Sequence, residues 1–192
     1  MSYANEPAQL PLPGQRIAIV GTTGSGKTTL AVQLAQRLHI PHVELDALHW
    51  EPNWTEAPLE VFHERVRAAL SGEAWIVDGN YSKVREIVWD RIDTVVWLDY
   101  RLSLCLWQLS RRTFRRVLTR QELWSGNRES WHKVLSKDSI LLWSLRSYPR
   151  LRERYTLLLG LPEYQHLIAV HLTSPRLTAR WLASVPPRPA PA

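Results

Sequence analysis

The chain has 192 residues, of which 45% are hydrophobic and 22% are charged, the size and composition of one globular domain. It contains no apolar run near the roughly 18 residues that cross a bilayer, no recognisable targeting segment, and one cysteine, Cys105, which excludes an internal disulfide. The net charge of +6 favours an anionic partner; nucleotide phosphates suffice, nucleic acid is an alternative without a specific motif, and we expect a cytoplasmic protein without a membrane partner.

The two ends of the chain, residues 1–13 and 186–192, are predicted to be flexible tails because both are rich in proline and lack hydrophobic periodicity. Residues 14–185 are predicted to form a single domain. Strand and helix patterns alternate along it, which is typical of a parallel sheet covered by helices on both faces. In such sheets, ligands bind at the carboxyl ends of the strands.

The first predicted strand, residues 16–20, is followed by a glycine-rich loop and by a helix over residues 27–38. The loop matches the pattern Gly-x4-Gly-Lys-Thr, in which glycines let backbone N–H groups turn towards a phosphate while the helix dipole attracts the same anion. Lys27 is expected to reach the β- and γ-phosphates of ATP, and the Thr28 hydroxyl to ligate Mg²⁺. We therefore predict a phosphate-binding loop made of Gly21, Thr22, Thr23, Gly24, Ser25, Gly26, Lys27, Thr28 and Thr29.

Three further strands are each predicted to end at an aspartate: residues 42–45 before Asp46, 74–77 before Asp78, and 94–98 before Asp99. A phosphate loop needs an acidic partner for Mg²⁺, commonly an aspartate at the end of a neighbouring strand. We favour Asp78, because Gly79 follows it and frees the backbone for a close ligand. For Asp99 the alternative is a helix cap or a hydrogen bond within a loop.

Asp46 is followed closely by His49, Trp50 and Trp54, and an acid, an imidazole and two indoles in one short stretch are typical of the wall of an acceptor pocket. Asp46 is therefore predicted to accept a hydrogen bond from a substrate hydroxyl or to act as its base, with His49 as a weaker candidate base. The alternative is an aspartate in a turn beside a structural histidine. A helix is predicted over residues 58–70, with proline in its first turn.

Residues 100–121 contain six arginines and no acidic residue, and helical periodicity runs from residue 103 to residue 119. This periodicity predicts one buried stripe, formed by Leu102, Leu106, Leu109 and Val117. Arg112 and Arg116 border that stripe. They are predicted to be catalytic, because phosphoryl transfer spreads charge over oxygens that guanidinium groups stabilise.

Arg111 and Arg115 point to the opposite side of the same helix and are predicted to be solvated. Residues 119–130 are predicted to form a mobile lid that excludes water. The alternatives are a solvated basic face or a nucleic-acid-binding helix, although no basic–aromatic pattern of an RNA module is evident.

The last part of the domain is predicted to contain a long helix over residues 129–155, a strand over 167–172 and a helix over 175–183. Several arginines lie on the long helix. Among them, we select Arg146 as the candidate to face the phosphates.

Three stretches together resemble the small adenylate-kinase-like P-loop proteins that are often labelled DNA topology modulation proteins: GTTGSGKTTLA (21–31), ELDALHW with PNW (44–54) and WIVDGNY (75–81). The resemblance covers roughly residues 15–184. It implies an α/β, three-layer P-loop NTPase fold of the nucleoside-monophosphate-kinase type, with a parallel five-stranded sheet in the order 2-3-1-4-5 and an arginine-rich lid. It also implies ATP and Mg²⁺ at the loop, an acceptor site near Asp46 and an adenine pocket around residues 173–176.

The turn at residues 78–81 lacks the phenylalanine, proline and arginine of the similar turn in adenylate kinases, which leaves the acceptor open; Arg85 is a candidate to supply the missing charge. We expect an ATP-binding phosphotransferase that moves the γ-phosphoryl group to a nucleotide, nucleoside or hydroxyl metabolite. Its expected catalytic residues are Lys27, Asp46, Arg112 and Arg116, and its expected metal-binding residues are Thr28 and Asp78. The alternative is a nucleotide-gated regulator that binds DNA or a protein partner and transfers nothing.

Overall fold

The computed structural model describes residues 10–130 and 139–189. Its centre is a five-stranded parallel sheet, accompanied by a two-stranded antiparallel hairpin, β3–β4. The strands are β1 (Arg16–Gly21), β2 (His42–Glu44), β3 (Trp50–Glu51), β4 (Thr55–Glu56), β5 (Trp75–Asp78), β6 (Thr94–Leu98) and β7 (Ile168–Leu172). The sheet order is β2-β5-β1-β6-β7, which is 2-3-1-4-5 when the hairpin strands are not counted, so the predicted α/β fold with this order is confirmed.

Helices cover both faces of the sheet. They are α1 (Lys27–Leu38), α2 (Leu45–His49), α3 (Leu59–Ala69), α4 (Arg85–Trp89), α5 (Leu102–Leu118), α6 (Ile140–Leu158) and α7 (Pro175–Ser184). On one face, the β1 side chains Ile17 and Ile19 pack with apolar residues of α1 and α7. On the other face, Ala18 and Val20 pack with residues of α3, α4 and α6. The alternation of neighbouring strand residues between two cores explains why β1 is an uninterrupted apolar run.

Two predicted elements differ from the structure. The second strand ends at Glu44, and Asp46 lies in the first turn of the short helix α2 instead of following the strand. The helix predicted over residues 129–155 begins only at Ile140, where the Ser139 hydroxyl caps it by accepting a hydrogen bond from Leu141 N–H. Residues 129–130 are not helical, and residues 131–138 lie outside the described residues.

The buried stripe of α5 is rotated slightly from the predicted one. It consists of Cys105, Leu109, Thr113 and Val117, whereas Leu102 and Leu106 are half-buried. This helix also approaches the glycine-rich loop closely, since a Cβ atom on Gly24 would lie 2.4 Å from the Cys105 carbonyl oxygen and 3.0 Å from Leu109 Cβ.

The described parts of both predicted tails contact the domain. Trp181 on α7 is fully buried and donates its indole N–H to the Pro11 carbonyl (3.0 Å). Arg188 donates to the Gly14 carbonyl at 2.7 Å. That residues 1–13 and 186–192 form flexible tails stays a prediction. No helix within the described ranges is both long and apolar enough to traverse a bilayer.

Candidate functional site

The glycine-rich loop joins the end of β1 to the start of α1 at the carboxyl edge of the sheet. Gly24 and Gly26 have φ angles of +86° and +92°, a region that residues with a Cβ atom rarely adopt. A Cβ atom on Gly26 would meet no atom within 4 Å, so the loop is open on that side. This backbone leaves the first turn of α1 accessible to an anion.

Lys27 is half-buried beneath the loop. Its ammonium donates to the carbonyl oxygens of Gly21 (2.9 Å) and Thr22 (3.2 Å) and forms no ion pair with any residue of the described ranges. Burial lowers its pKa, and the nearby Asp78 carboxylate opposes that shift. The Ser25 hydroxyl is also buried and has no hydrogen-bond partner among the described residues. A half-buried cation that no carboxylate pairs directly in the described ranges, beside an unpaired buried hydroxyl, fits a phosphate group.

Thr28 and Asp78 lie together. The Thr28 hydroxyl donates to Asp78 Oδ2 at 2.6 Å, and Asp78 Oδ1 is 2.9 Å from His42 Nε2. Glu44 Oε1 is 3.4 Å from the same Thr28 hydroxyl. A hydroxyl and carboxylates next to a phosphate loop are oxygen ligands of the kind that Mg²⁺ prefers, so these residues fit the metal. Glu44 is a site residue that the sequence reasoning missed.

Asp99, the alternative metal-binding aspartate, has different neighbours. One oxygen lies 3.2 Å from Arg152 Nε and another 3.0 Å from His171 Nε2. Asp99 borders an open cleft of about 460 Å³, lined also by Arg101, Ser103, Leu104, Arg152, Thr173 and Ser174. This cleft lies at residues 173–174, within the segment where an adenine pocket is implied. Arg146, selected from sequence as the phosphate-facing arginine of the long helix, is exposed.

Asp46 and Tyr81 form a hydrogen-bonded pair. They follow β2 and β5, which lie on one side of β1, whereas Asp99 follows β6 on the other side. The Tyr81 hydroxyl donates to Asp46 Oδ1 at 2.5 Å. Burial, followed by the charge of Asp46, raises the pKa of Tyr81, so the phenol remains a donor. The Asp46 charge opposes the lowering of the Lys27 and Arg112 pKa values by burial, so its carboxylate lies within electrostatic range of both cations.

His49 is a wall residue rather than an open base. It is 3% exposed, and its ring packs against Trp50, Phe62 and Tyr81 with centroid separations of 4.8, 4.9 and 4.5 Å. Burial lowers the pKa of the imidazole. The geometry therefore matches the structural alternative for this histidine.

The arginines of α5 have the predicted orientations: Arg112 and Arg116 are half-buried, while Arg111 and Arg115 are exposed. Arg116 Nη1 forms an ion pair with Glu129 Oε1 at 3.0 Å, and both side chains are only 15% exposed. For Arg112, burial is the main reason for a lowered guanidinium pKa, and the charge of Arg116 adds to it.

The segment predicted as a lid, residues 119–130, rests on the β3–β4 hairpin. Trp54 N–H donates to Asn127 Oδ1 (2.8 Å), and Asn127 Nδ2 donates to the Glu51 carbonyl (2.9 Å). The Trp124 indole N–H donates to Glu44 Oε2 at 2.9 Å. The contact thus joins the segment to the hairpin and to a carboxylate beside Thr28. Trp124 and Asn127 lie in the predicted lid segment, but their hydrogen bonds to Glu44 and to the hairpin were not predicted from the sequence.

Solved structures of other proteins have the same fold. A gluconokinase from Sinorhizobium meliloti 1021 is similar over 90% of this chain and 91% of its own, with a TM-score of 0.50 and 18% identity. A shikimate kinase from Bacteroides thetaiotaomicron (88% and 94% coverage, TM-score 0.48, 14% identity) and a sugar kinase from Janibacter sp. HTCC2649 (89% and 94%, 0.46, 17%) are also similar. No family model and no curated protein matches the sequence. The chain therefore has a P-loop kinase fold, and its resemblance to topology modulation proteins stays a prediction.

Proposed function

We propose that this chain is an ATP-dependent phosphotransferase that moves the γ-phosphoryl group to a hydroxyl of a small acceptor. The observation that carries the proposal is that two half-buried cations, Lys27 and Arg112, both lie within electrostatic range of the Asp46 carboxylate. A site that only held a nucleotide would need the loop and Lys27. The second cation and the carboxylate are the additional groups that transfer requires.

On the donor side, loop N–H groups and Lys27 bind the phosphates of ATP. Thr28 and Asp78 hold Mg²⁺, which neutralises charge on the β- and γ-phosphates when it is bound. Asp78 is positioned for this by His42, which contacts its other oxygen. Glu44 is oriented towards the same place by the Trp124 indole.

On the acceptor side, Asp46 accepts a hydrogen bond from the acceptor hydroxyl, and Tyr81 fixes the orientation of its carboxylate. The hydroxyl oxygen attacks the γ-phosphorus, the bond to the β–γ bridging oxygen breaks, and ADP leaves. The hydroxyl proton passes to Asp46. Arg112 stabilises the charge on the moving phosphoryl group, while Arg116 is held by Glu129 beside it.

The test is a screen of ADP formation from MgATP against nucleoside monophosphates, nucleosides, sugars and small hydroxy acids. Saturable stimulation by one class, with a phosphorylated product identified by mass spectrometry, is the expected result. Lys27→Ala is the matched negative control and is expected to lower the rate by orders of magnitude while the chain stays folded. Binding of MgATP without stimulation by any acceptor would contradict transfer and favour a nucleotide-gated regulator.

A further inference from the structure

The pairing of β1 with its two neighbours ends at different points. On one side, the register with β6 continues to Gly21, opposite Leu98. On the other side, the register with β5 ends two pairs earlier, at Ile19 opposite Asp78. Gly21, the first residue of the phosphate loop, therefore extends beyond the last strand pair on the β5 side. Backbone groups that are half-buried in this way need a partner.

The side chain of Asn80 supplies that partner. Gly21 N–H donates to Asn80 Oδ1 (3.3 Å), and Asn80 Nδ2 donates to the Gly21 carbonyl (2.5 Å). The carboxamide thus binds Gly21 through both groups, as the peptide of a neighbouring strand would. The turn at Gly79 makes this possible, because its φ is +141° and a Cβ atom there would lie 2.9 Å from Leu45 Cβ.

Tyr155 on α6 fixes the orientation of the Asn80 amide. Its hydroxyl donates to Asn80 Oδ1 at 3.0 Å, and it is 5% exposed. Burial raises the pKa of Tyr155, so the phenol stays protonated and remains a donor. With Oδ1 accepting from both Gly21 N–H and the phenol, Nδ2 faces the Gly21 carbonyl.

The Gly21 carbonyl is shared with the phosphate-binding cation. It accepts from Asn80 Nδ2 and also from Lys27 Nζ, at 2.9 Å. The direction of this carbonyl therefore sets where the Lys27 ammonium lies. An unbroken chain of hydrogen bonds runs from Tyr155 through Asn80 and Gly21 to Lys27.

We infer that Asn80 is a positioning residue for phosphoryl transfer: it holds the Gly21 peptide in the orientation that places the Lys27 ammonium for the donor phosphates. Asn80 acts through Lys27 and not on the substrate. The inference rests on the proposed function for its effect on turnover, but its effect on nucleotide binding does not need an acceptor. Tyr81, the next residue, holds Asp46, so one turn after β5 organises both sides of the site.

The experiment is a double-mutant cycle with Asn80→Ala, Lys27→Ala and the combined variant. Asn80→Ala removes two hydrogen bonds of a half-buried peptide and is expected to lower kcat/KM for MgATP about 10- to 100-fold. In the Lys27→Ala background the same change is expected to have less than about a twofold effect, because its route runs through Lys27. Independent, multiplying effects would overturn the inference. Ser82→Ala, an exposed change in the same turn, is the matched control.

Tyr155→Phe is the second variant, since it keeps the ring and removes only one donor to Asn80. It is expected to give a smaller loss, about two- to fivefold, that disappears in the Asn80→Ala background. An undiminished loss in that background would contradict the hydrogen-bond chain. The MgATP affinity of every variant in the cycle is also measured, by titration calorimetry. If no acceptor is phosphorylated, affinity alone decides the role of Asn80; if transfer persists with multiplying effects, only this inference fails.

Discussion

Arg112 and Arg116 lie one helical turn apart on α5, but their surroundings differ. Arg116 is held by Glu129, whereas Arg112 forms no hydrogen bond or ion pair with any residue in 10–130 or 139–189. A half-buried guanidinium that no carboxylate pairs directly is costly, and the negative charge of a transferring phosphoryl group would offset that cost. This difference favours Arg112 as the residue that contacts the phosphoryl group and gives Arg116 a supporting role.

Arg112→Ala is expected to lower kcat by about 100-fold or more while MgATP affinity changes only a few-fold, because the lost charge acts on the transition state. Steady-state kinetics with the acceptor found in the screen, and calorimetry with MgATP, measure the two effects. Arg115→Ala, on the exposed side of α5, is the control and should leave kcat near the wild-type value. Equal losses in the two variants would refute the assignment.

The burial of His49 makes the free energy of unfolding depend on pH, and it determines the direction of that dependence. Burial lowers the pKa of the folded-state imidazole below its ordinary value. At pH values between the folded-state and unfolded-state pKa, the unfolded chain therefore binds more protons at His49 than the folded chain does. The contribution of neutral His49 is complete above about pH 6.5 and is lost as the pH falls below that value. Protonation therefore favours the unfolded chain.

The free energy of unfolding of the wild type is expected to fall more between about pH 7 and about pH 5 than that of His49→Gln, which cannot take up this proton. Urea denaturation at both pH values measures the difference. His166→Gln, a change at an exposed histidine, should retain the full pH dependence of the wild type. A His49→Gln variant with undiminished pH dependence would show that other groups carry the effect.

At the scale of elements, the predicted lid segment 119–130 is held to the β3–β4 hairpin by side-chain hydrogen bonds and by one contact between the Trp54 and Trp124 rings. Asn127 is 4% exposed and bonds the backbone of Trp54, Glu51 and Trp124. Contacts of this kind are few, so they open at a lower free-energy cost than the sheet does. Contacts of this kind are what the predicted lid would need, and its motion stays a prediction.

Asn127→Ala is expected to free this segment, because it removes the side chain that joins the lid to the hairpin. Amide hydrogen exchange should accelerate about tenfold or more in residues 121–130 and 50–56 and stay unchanged in β1. The acceptor KM should rise in parallel. Arg128→Ala changes only an exposed pair with Glu122 and serves as the control. Unchanged exchange in Asn127→Ala would show that other contacts hold the lid.

At the scale of the whole molecule, the sheet order was expected from the resemblance to a known family, whereas the other features predicted correctly have local causes. The glycine loop depends on its own backbone, and helical periodicity alone turns Arg112 inward. The missed contacts join distant residues: Asn80 and Gly21 are 59 positions apart, and Trp124 and Glu44 are 80 apart. These pairs form only because the sheet order brings the ends of several strands to one edge. Periodicity identifies the elements, but it does not specify which side chains meet there.

Two variants in different parts of the molecule should affect stability and nucleotide binding separately. Trp181 is fully buried and far along the chain from the loop, and Trp181→Phe leaves a cavity and an unpaired Pro11 carbonyl. It is expected to lower the free energy of unfolding by about 2 kcal/mol. Lys27→Ala instead removes a half-buried cation without an ion-pair partner in the described ranges, so the free chain should be little destabilised.

MgATP at about 100 times its Kd should stabilise the wild type by about 2.7 kcal/mol, because it binds only the folded chain. For a chain of this size that corresponds to a rise in Tm of roughly 5–10 °C. Trp181→Phe should melt earlier yet keep the full rise, whereas Lys27→Ala should melt near the wild-type Tm and lose most of the rise at the same MgATP concentration. Thermal melts followed by circular dichroism measure the Tm of the wild type and of both variants, each with and without MgATP. A full rise in Lys27→Ala would place the nucleotide elsewhere, and a rise lost in Trp181→Phe would show that the loop depends on the α7 core.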